Sequence, residues 1–315
     1  MKRNLLYSCI TIVFALIGLT SCKKDPPTAD FTFVVNGKTV TFTPEVTFTD
    51  SYLWNFGDNS TSTEANPVHV YTMSGVFTAT LTATGPGGNE RAAKSLTILP
   101  TIQELLSGGP TATNGKTWVL STGSYPADDG ACSVTNNLSI LLPIPADIQT
   151  LIGAEYDNEF TFYYDGRYSI NPKNGRVLAA TLSSTLDSTV VDGTQISSLG
   201  LCSANFTPPA SATWALNTSD FTVDAITNPL DAFTPPVHAN VTFTGKNWLS
   251  FSPGAYFGIL DFPATNQLII KSMTATEMHV AMMVCIYQGV RNPGGLDYAR
   301  FPTHVFQLTY VPKAN

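Results

Sequence analysis

The chain has 315 residues, a formal net charge of −7, 12% charged residues and 43% hydrophobic ones. That balance excludes a disordered polyampholyte, and its sign argues against nucleic acid and other anionic surfaces as partners. With 21 prolines, 23 glycines and 11% aromatic residues, it is the composition of a turn-rich β protein, and its length allows two domains.

At the N-terminus, Lys2 and Arg3 precede an apolar run over residues 5 to 19, which ends in Leu19-Thr20-Ser21-Cys22. A positive start, an apolar stretch and small residues at a cleavage point read as a signal peptide over residues 1 to 21. The run is short for a membrane span, which takes ~20 residues. Leu-Thr-Ser-Cys resembles the lipobox of bacterial lipoproteins. The resemblance implies a diacylglyceryl thioether on Cys22, cleavage before it and a third acyl chain on the freed amine. Several chains matter, because one alone binds a membrane only marginally. Loss of Lys2 and Arg3 makes the mature chain more acidic still, so a neutral ligand suits it best. Residues 22 to 30, with Pro26-Pro27, read as a lipidated, extended tether.

Of the five cysteines, Cys9 leaves with the signal and Cys22 carries lipid, so Cys132, Cys202 and Cys285 remain. An odd number cannot all pair. Cys132 and Cys202 sit in polar, loop-like contexts, whereas Cys285 lies within Met-Met-Val-Cys-Ile-Tyr. If one disulfide forms in the exported protein, it joins Cys132 to Cys202.

From Phe31 the pattern takes period two. Phe31, Phe33 and Val35 share a face, as do Val46 and Phe48, and Tyr52, Trp54 and Phe56. Over residues 76 to 84, Phe77, Ala79, Leu81 and Ala83 alternate with threonines, giving one buried face and one wet one. Turn signals at Gly57-Asp58-Asn59 and Pro86-Gly87-Gly88 complete a small antiparallel sandwich. Tyr52-x-Trp54-x-Phe56-Gly57-Asp58, Asn66-Pro67-x-His69-x-Tyr71 and Gly75-x-Phe77 closely resemble the PKD domain, an immunoglobulin-like fold, over residues 31 to 99. Asn59 stands where that family usually has glycine, and asparagine also tolerates a left-handed backbone. Trp54 is expected in the core and Asp58 on its own turn, which makes the domain a spacer.

Residues 100 to 113, with a Gly-Gly-Pro breaker, read as a linker. Residues 114 to 313 follow as a second antiparallel β domain, a sandwich or jelly roll. Asp165-Gly166 and Asn174-Gly175 mark hairpins, and later strands fall near residues 241 to 243, 248 to 251, 268 to 270, 278 to 286 and 305 to 311. Residues 145 to 152 alone look helical. Leu105-Leu106-x-Gly108-Gly109, Gly115-Lys116-Thr117-Trp118-Val119, Asp157-x-Glu159-Phe160-Thr161-Phe162 and Leu308-Thr309-Tyr310-Val311-Pro312-Lys313 resemble the C-terminal domains of surface glycan-binding lipoproteins of polysaccharide-foraging Gram-negative bacteria. The segment after Trp118 departs from that pattern.

The one catalytic candidate is Glu155-Tyr156-Asp157-Asn158-Glu159, since alternate carboxylates on a strand share a face. It resembles the Glu-x-Asp-x-Glu strand of laminarinase-type glycoside hydrolases. Asn158 replaces an apolar residue of that motif, and Asp157-Asn158 reads as a turn into a strand near Glu159. The four histidines show no zinc spacing, no nucleophile elbow occurs, and Thr274-x-x-Glu277 reads as a turn. Asp128 and Asp129 form no complete calcium pattern. No cofactor, metal or catalytic residue is expected.

Strand parity assigns the binding platform. Trp118 and Trp214 share faces with Leu120 and Leu216 and point inward, whereas Trp248 lies opposite Leu249 and Phe251 on what reads as a wet face. Tyr256 extends that surface, and Tyr163, Tyr298 and Arg300 are further candidates for a sugar-stacking site. The expected function is a non-catalytic outer-membrane lipoprotein that binds a polysaccharide at the cell surface alongside other glycan-uptake proteins. The alternatives are an adhesion or structural surface protein and a jelly-roll glycoside hydrolase.

Overall fold

A computed structural model describes residues 24–121, 129–139, 142–143, 158–180, 200–227, 237–261, 266–285 and 301–314. Cys22, Asp128, the expected helix at 145 to 152, Glu155, Asp157, Tyr298 and Arg300 lie outside the described residues. The chain divides into two units between Pro100 and Thr101.

The first unit is a two-sheet antiparallel sandwich. One sheet holds β1 (Thr28–Asn36), β2 (Thr39–Thr47) and β5 (Val68–Val70); the other holds β3 (Ser51–Asn55), β4 (Thr61–Ser62), β6 (Gly75–Gly85) and β7 (Gly88–Ile98). Alternation along these strands puts Phe31, Phe42, Trp54, Phe56, Tyr71 and Leu81 into one core. Trp54 and Tyr71 are fully buried and still satisfied: the indole donates to the Glu64 carbonyl (2.9 Å) and the phenol to the Phe56 carbonyl (2.8 Å). Gly57 (φ 85°) and Asn59 (φ 74°) hold the intervening turn in the left-handed region, as their residue types allow. Phe48 departs from its expected alternation with Val46. Its φ of 53° ends β2 and turns a ring that would point inward out to solvent, where it is 61% exposed.

The second unit begins earlier than expected, because part of the expected linker is a short helix, α1 (Ile102–Ser107). Thr101 and Glu104 close a capping box over its start, and Gly108 at φ 84° ends it. Leu106 is fully buried, and the Trp118 indole donates to its carbonyl (2.9 Å).

Eight strands follow: β8 (Lys116–Leu120), β10 (Glu159–Phe162), β11 (Arg167–Asn171), β14 (Ala212–Asn217), β17 (Asn247–Phe251), β18 (Gln267–Met273), β19 (Met278–Val284) and β20 (His304–Pro312). Each pairs antiparallel with the next, and β20 pairs back to β8. The expected larger antiparallel β domain is present, and its sheet closes on itself as an up-and-down barrel. β9 (Gly130–Ser133) pairs with the first half of β20, on the edge whose second half pairs with β8.

The barrel interior is filled. Trp118, Phe160, Phe162, Leu249, Val280 and Phe306 point inward, and they meet a hairpin of β12 (Arg176–Ala180) and β13 (Leu201–Asn205) together with Ala255, Tyr256, Phe257, Ile259 and Leu260. A second hairpin, β15 (Phe221–Thr227) and β16 (Val237–Phe243), lies on the outer face of the wall. Phe221, Ala225 and Phe243 there bury Ile269, Ala281, Met283 and Val305.

Candidate functional site

Tertiary packing redistributes the residues that strand parity assigned to a platform. Trp248 does sit on the outer face of β17, but that face is covered by the β15–β16 hairpin. Its ring packs at a tilt against Phe221 (5.1 Å between centroids) and its indole donates to the Ser219 carbonyl (3.0 Å), so it is a half-buried packing residue. Tyr256 is fully buried, because the segment carrying it dips into the barrel. There it meets Phe160 and Phe206, and its carbonyl accepts from the Tyr168 phenol (2.8 Å). Tyr163 is half-buried: the Arg167 guanidinium covers its ring at 4.3 Å, and its edge lies so close to Gly115 that a Cβ there would stand 3.0 Å from it. Tyr256 is thus withdrawn from any sugar, and Trp248 and Tyr163 each have a ring face engaged by the protein itself. Trp118 and Trp214 point inward, as parity requires.

The expected disulfide is absent. Cys132, Cys202 and Cys285 are all buried thiols. Cys202 belongs to the barrel interior and Cys132 to the cluster on the outer wall, so the wall separates them. Burial raises the Cys132 thiol pKa above its ordinary value.

The carboxylates of the catalytic candidate are likewise engaged where they are described. Glu159 opens β10 and accepts from Lys173 (2.8 Å) and Lys313 (2.6 Å). Burial works to raise its pKa, but these hydrogen bonds outweigh burial and hold it below the ordinary value. Asp129 is buried, with Oδ1 accepting from the Thr309 hydroxyl (2.6 Å) and Oδ2 from the Thr309 amide (3.2 Å). Burial raises its pKa against these bonds. Both oxygens are thus spent on pinning β20, which leaves them poor calcium ligands. Among the described residues no cluster of His, Cys, Asp and Glu is arranged to hold a metal.

In the first unit, Asp58, Ser60 and His69 come together in a way that resembles a nucleophilic trio. Asp58 Oδ2 meets His69 Nε2 at 2.7 Å, and Ser60 Oγ donates to Asp58 Oδ1 while lying 3.2 Å from the same His69 nitrogen. A single imidazole nitrogen bonded to both partners cannot relay a proton from the hydroxyl to the carboxylate. The cluster clamps its turn onto β5, as expected for Asp58.

Among the described residues, a groove on the second unit offers a ligand space, where the chain leaving β9 meets the β15–β16 hairpin. Val134, Thr135, Asn136, Thr227, Asn240, Val241 and Thr242 line about 310 Å³, at the small end of ligand clefts. Most of the lining is amide or hydroxyl, and none is ionised. β15 holds one edge of β16, and among the described residues no strand pairs with the other, so backbone donors and acceptors face the groove. Asp224 lies opposite Asn240 across the hairpin and pairs with His238 Nε2 at 2.6 Å, placing one half-exposed carboxylate beside the groove. The sequence alone did not mark these residues. Their one trace is the polar alternation His238, Asn240, Thr242, which is common to any hairpin exposed on one face.

The profile of the PKD domain matches residues 24–99. Over 40 residues the chain is 60% identical to "Collagenase ColA" of Bacillus cereus, a segment that is 13% of this chain and 4% of that protein. Over 45 residues it is 47% identical to "Collagenase ColQ1" of Bacillus cereus (strain Q1), 14% of this chain and 5% of that protein. The chain thus spans a small fraction of the curated relatives it matches. Among solved structures, the PKD1 domain of Vibrio anguillarum Epp is 28% identical, with 24% of this chain and 98% of that domain covered and a TM-score of 0.23. The PKD1 domain of the Vibrio cholerae metalloprotease PrtV is 33% identical, with 24% and 100% covered and a TM-score of 0.23. A structure described under carbohydrate-binding modules of the β-sandwich superfamily aligns at 11% identity over 92% of this chain and 93% of its own, with a TM-score of 0.24.

Proposed function

We propose that this chain is an outer-membrane lipoprotein, held at the cell surface by lipid on Cys22, whose barrel unit binds a neutral polysaccharide without cleaving it. The PKD domain at residues 24–99 is the spacer between lipid and binding unit. One observation carries the reading: the groove beside β16 is lined by Thr135, Asn136, Asn240 and Thr242 with no ionised side chain. An amide offers a donor and an acceptor side by side, which is what vicinal sugar hydroxyls need. An anionic ligand would leave its charge unpaired there and meet the Asp224 carboxylate beside the groove. The engagement of Glu159 with two lysines supports binding rather than hydrolysis.

A glycan array probed with residues 23–315 tests it. Asn136→Ala and Asn240→Ala should each weaken binding of the positive glycan by about five- to tenfold, the worth of a lost hydrogen bond of about 1–1.5 kcal/mol, with the melting temperature unchanged. Full affinity in both variants, or no bound glycan on the array, sinks the reading. Release of reducing sugar from a bound polysaccharide would turn it into a hydrolase.

A further inference from the structure

We propose that the end of the PKD unit at which the chain enters is a second membrane contact, with Phe48 inserted at the bilayer interface. This rests on the reading that Cys22 carries lipid. Phe48 is unfavourable on two counts where it stands. A bulky non-glycine residue at φ 53° is a steric outlier, and 61% of its surface meets water. Glycine or asparagine would close the same turn at lower cost.

What sets this aromatic apart from Val34, Val68 and Val70, exposed on a flank of the sandwich, is its address. A Cβ built on Gly85 would lie 1.9 Å from the Phe48 carbonyl oxygen and 3.6 Å from Pro27 Cβ. One built on Gly87 would lie 2.2 Å from the Asp25 carbonyl oxygen and 2.5 Å from that of Lys24. The β6–β7 turn, Phe48 and residues 24–27 are therefore packed at one pole. In these segments Pro26, Pro86 and Gly87 are exposed, and the charged residues within them and next but one to Phe48 are Lys24, Asp25 and Asp50. Cys22 precedes Lys24 by two residues, an extended reach of at most ~7 Å. Acyl chains attached there bring the bilayer against this pole and no other part of the unit. The ring then enters the interface, the prolines and glycines cost nothing on approach, and the Lys24 stem extends along the surface. A flexible acyl tether alone lets the protein pivot; a second contact sets how the spacer stands on the membrane.

The test supplies the anchor artificially. Residues 23–315 with an N-terminal hexahistidine tag are held on phosphatidylcholine vesicles containing nickel-chelating lipid, and Phe48→Trp reports contact through quenching by brominated phosphatidylcholine. The chain's own tryptophans, Trp54, Trp118, Trp214 and Trp248, are common to the parent and the variant, so the added emission is read by difference from the parent chain. The expected result is roughly half the added emission quenched, with a blue shift, while a tryptophan at Val70→Trp is unaffected. Emission at position 48 no more quenched than at position 70 overturns the proposal. The mass of the Cys22 peptide from the natural host tests acylation separately, so a missing anchor and a non-inserting Phe48 give different results.

Discussion

His304 makes the stability of the barrel unit depend on pH between 6.5 and about 4, and comparison with His304→Leu separates its share from that of carboxylates such as the buried Asp129. It sits on β20, is 3% exposed, shares Nδ1 with the Thr303 hydroxyl (2.9 Å), and has no hydrogen-bond partner at Nε2. Burial lowers its pKa from 6.5 to about 4. Between those values the unfolded chain takes up the proton and the folded chain resists it, so stability is fully present above pH 6.5 and is lost as pH falls toward 4. The whole shift is worth about 3 kcal/mol, of which about 2 kcal/mol is gone by pH 5. Urea denaturation of the barrel transition at pH 7.5 and pH 5.0 should show this loss, and His304→Leu should abolish most of it. A midpoint unchanged between the two pH values, or an unaltered pH slope in His304→Leu, refutes the reasoning.

Other perturbations have equally definite outcomes. Gly57→Ala should destabilise the PKD unit by about 2–4 kcal/mol, since its Cβ would stand 2.7 Å from the Thr78 carbonyl oxygen at a φ of 85°, and thermal melting reads this directly. Trp248→Ala should cost about 2 kcal/mol of barrel stability, because it loses the Phe221 contact and the Ser219 bond; a melting temperature within a degree of the parent would return Trp248 to an exposed platform. Alkylation of the denatured, unreduced mature chain should modify Cys132, Cys202 and Cys285 alike, and a mass two hydrogens short with two cysteines unalkylated would reinstate a disulfide. Phe48→Gly should raise PKD stability in solution by about 1 kcal/mol through relief of the left-handed backbone, measurable as a higher melting temperature.

The PKD half is legible in the sequence because its determinants are local. Alternation places Trp54, Ala79 and Leu81 inside, and Gly57 and Asn59 announce a left-handed turn. Parity also worked strand by strand in the second unit, where Trp118, Trp214 and Leu249 point inward and Trp248 outward. The capping box Thr101-Ile-Gln-Glu104 was legible too, but Gly108-Gly109-Pro110 drew the reading of that stretch toward a linker.

What lies against each face was decided by tertiary structure alone. A period of two says which side of a strand a residue occupies, and it holds no information on what covers that side. The β15–β16 hairpin, inserted between wall strands β14 and β17, folds back over the outer face and makes a packing residue of Trp248. The segment after the Ser-Pro-Gly-Ala turn enters the barrel and takes Tyr256 with it, and the closed wall divides Cys132 from Cys202. The groove beside β16 arises the same way, from two segments about a hundred residues apart. Secondary structure follows from short-range sterics and hydrophobic pattern, which neighbouring residues carry; enclosure, accessibility and shape follow from long-range pairings, which appear only once the barrel closes.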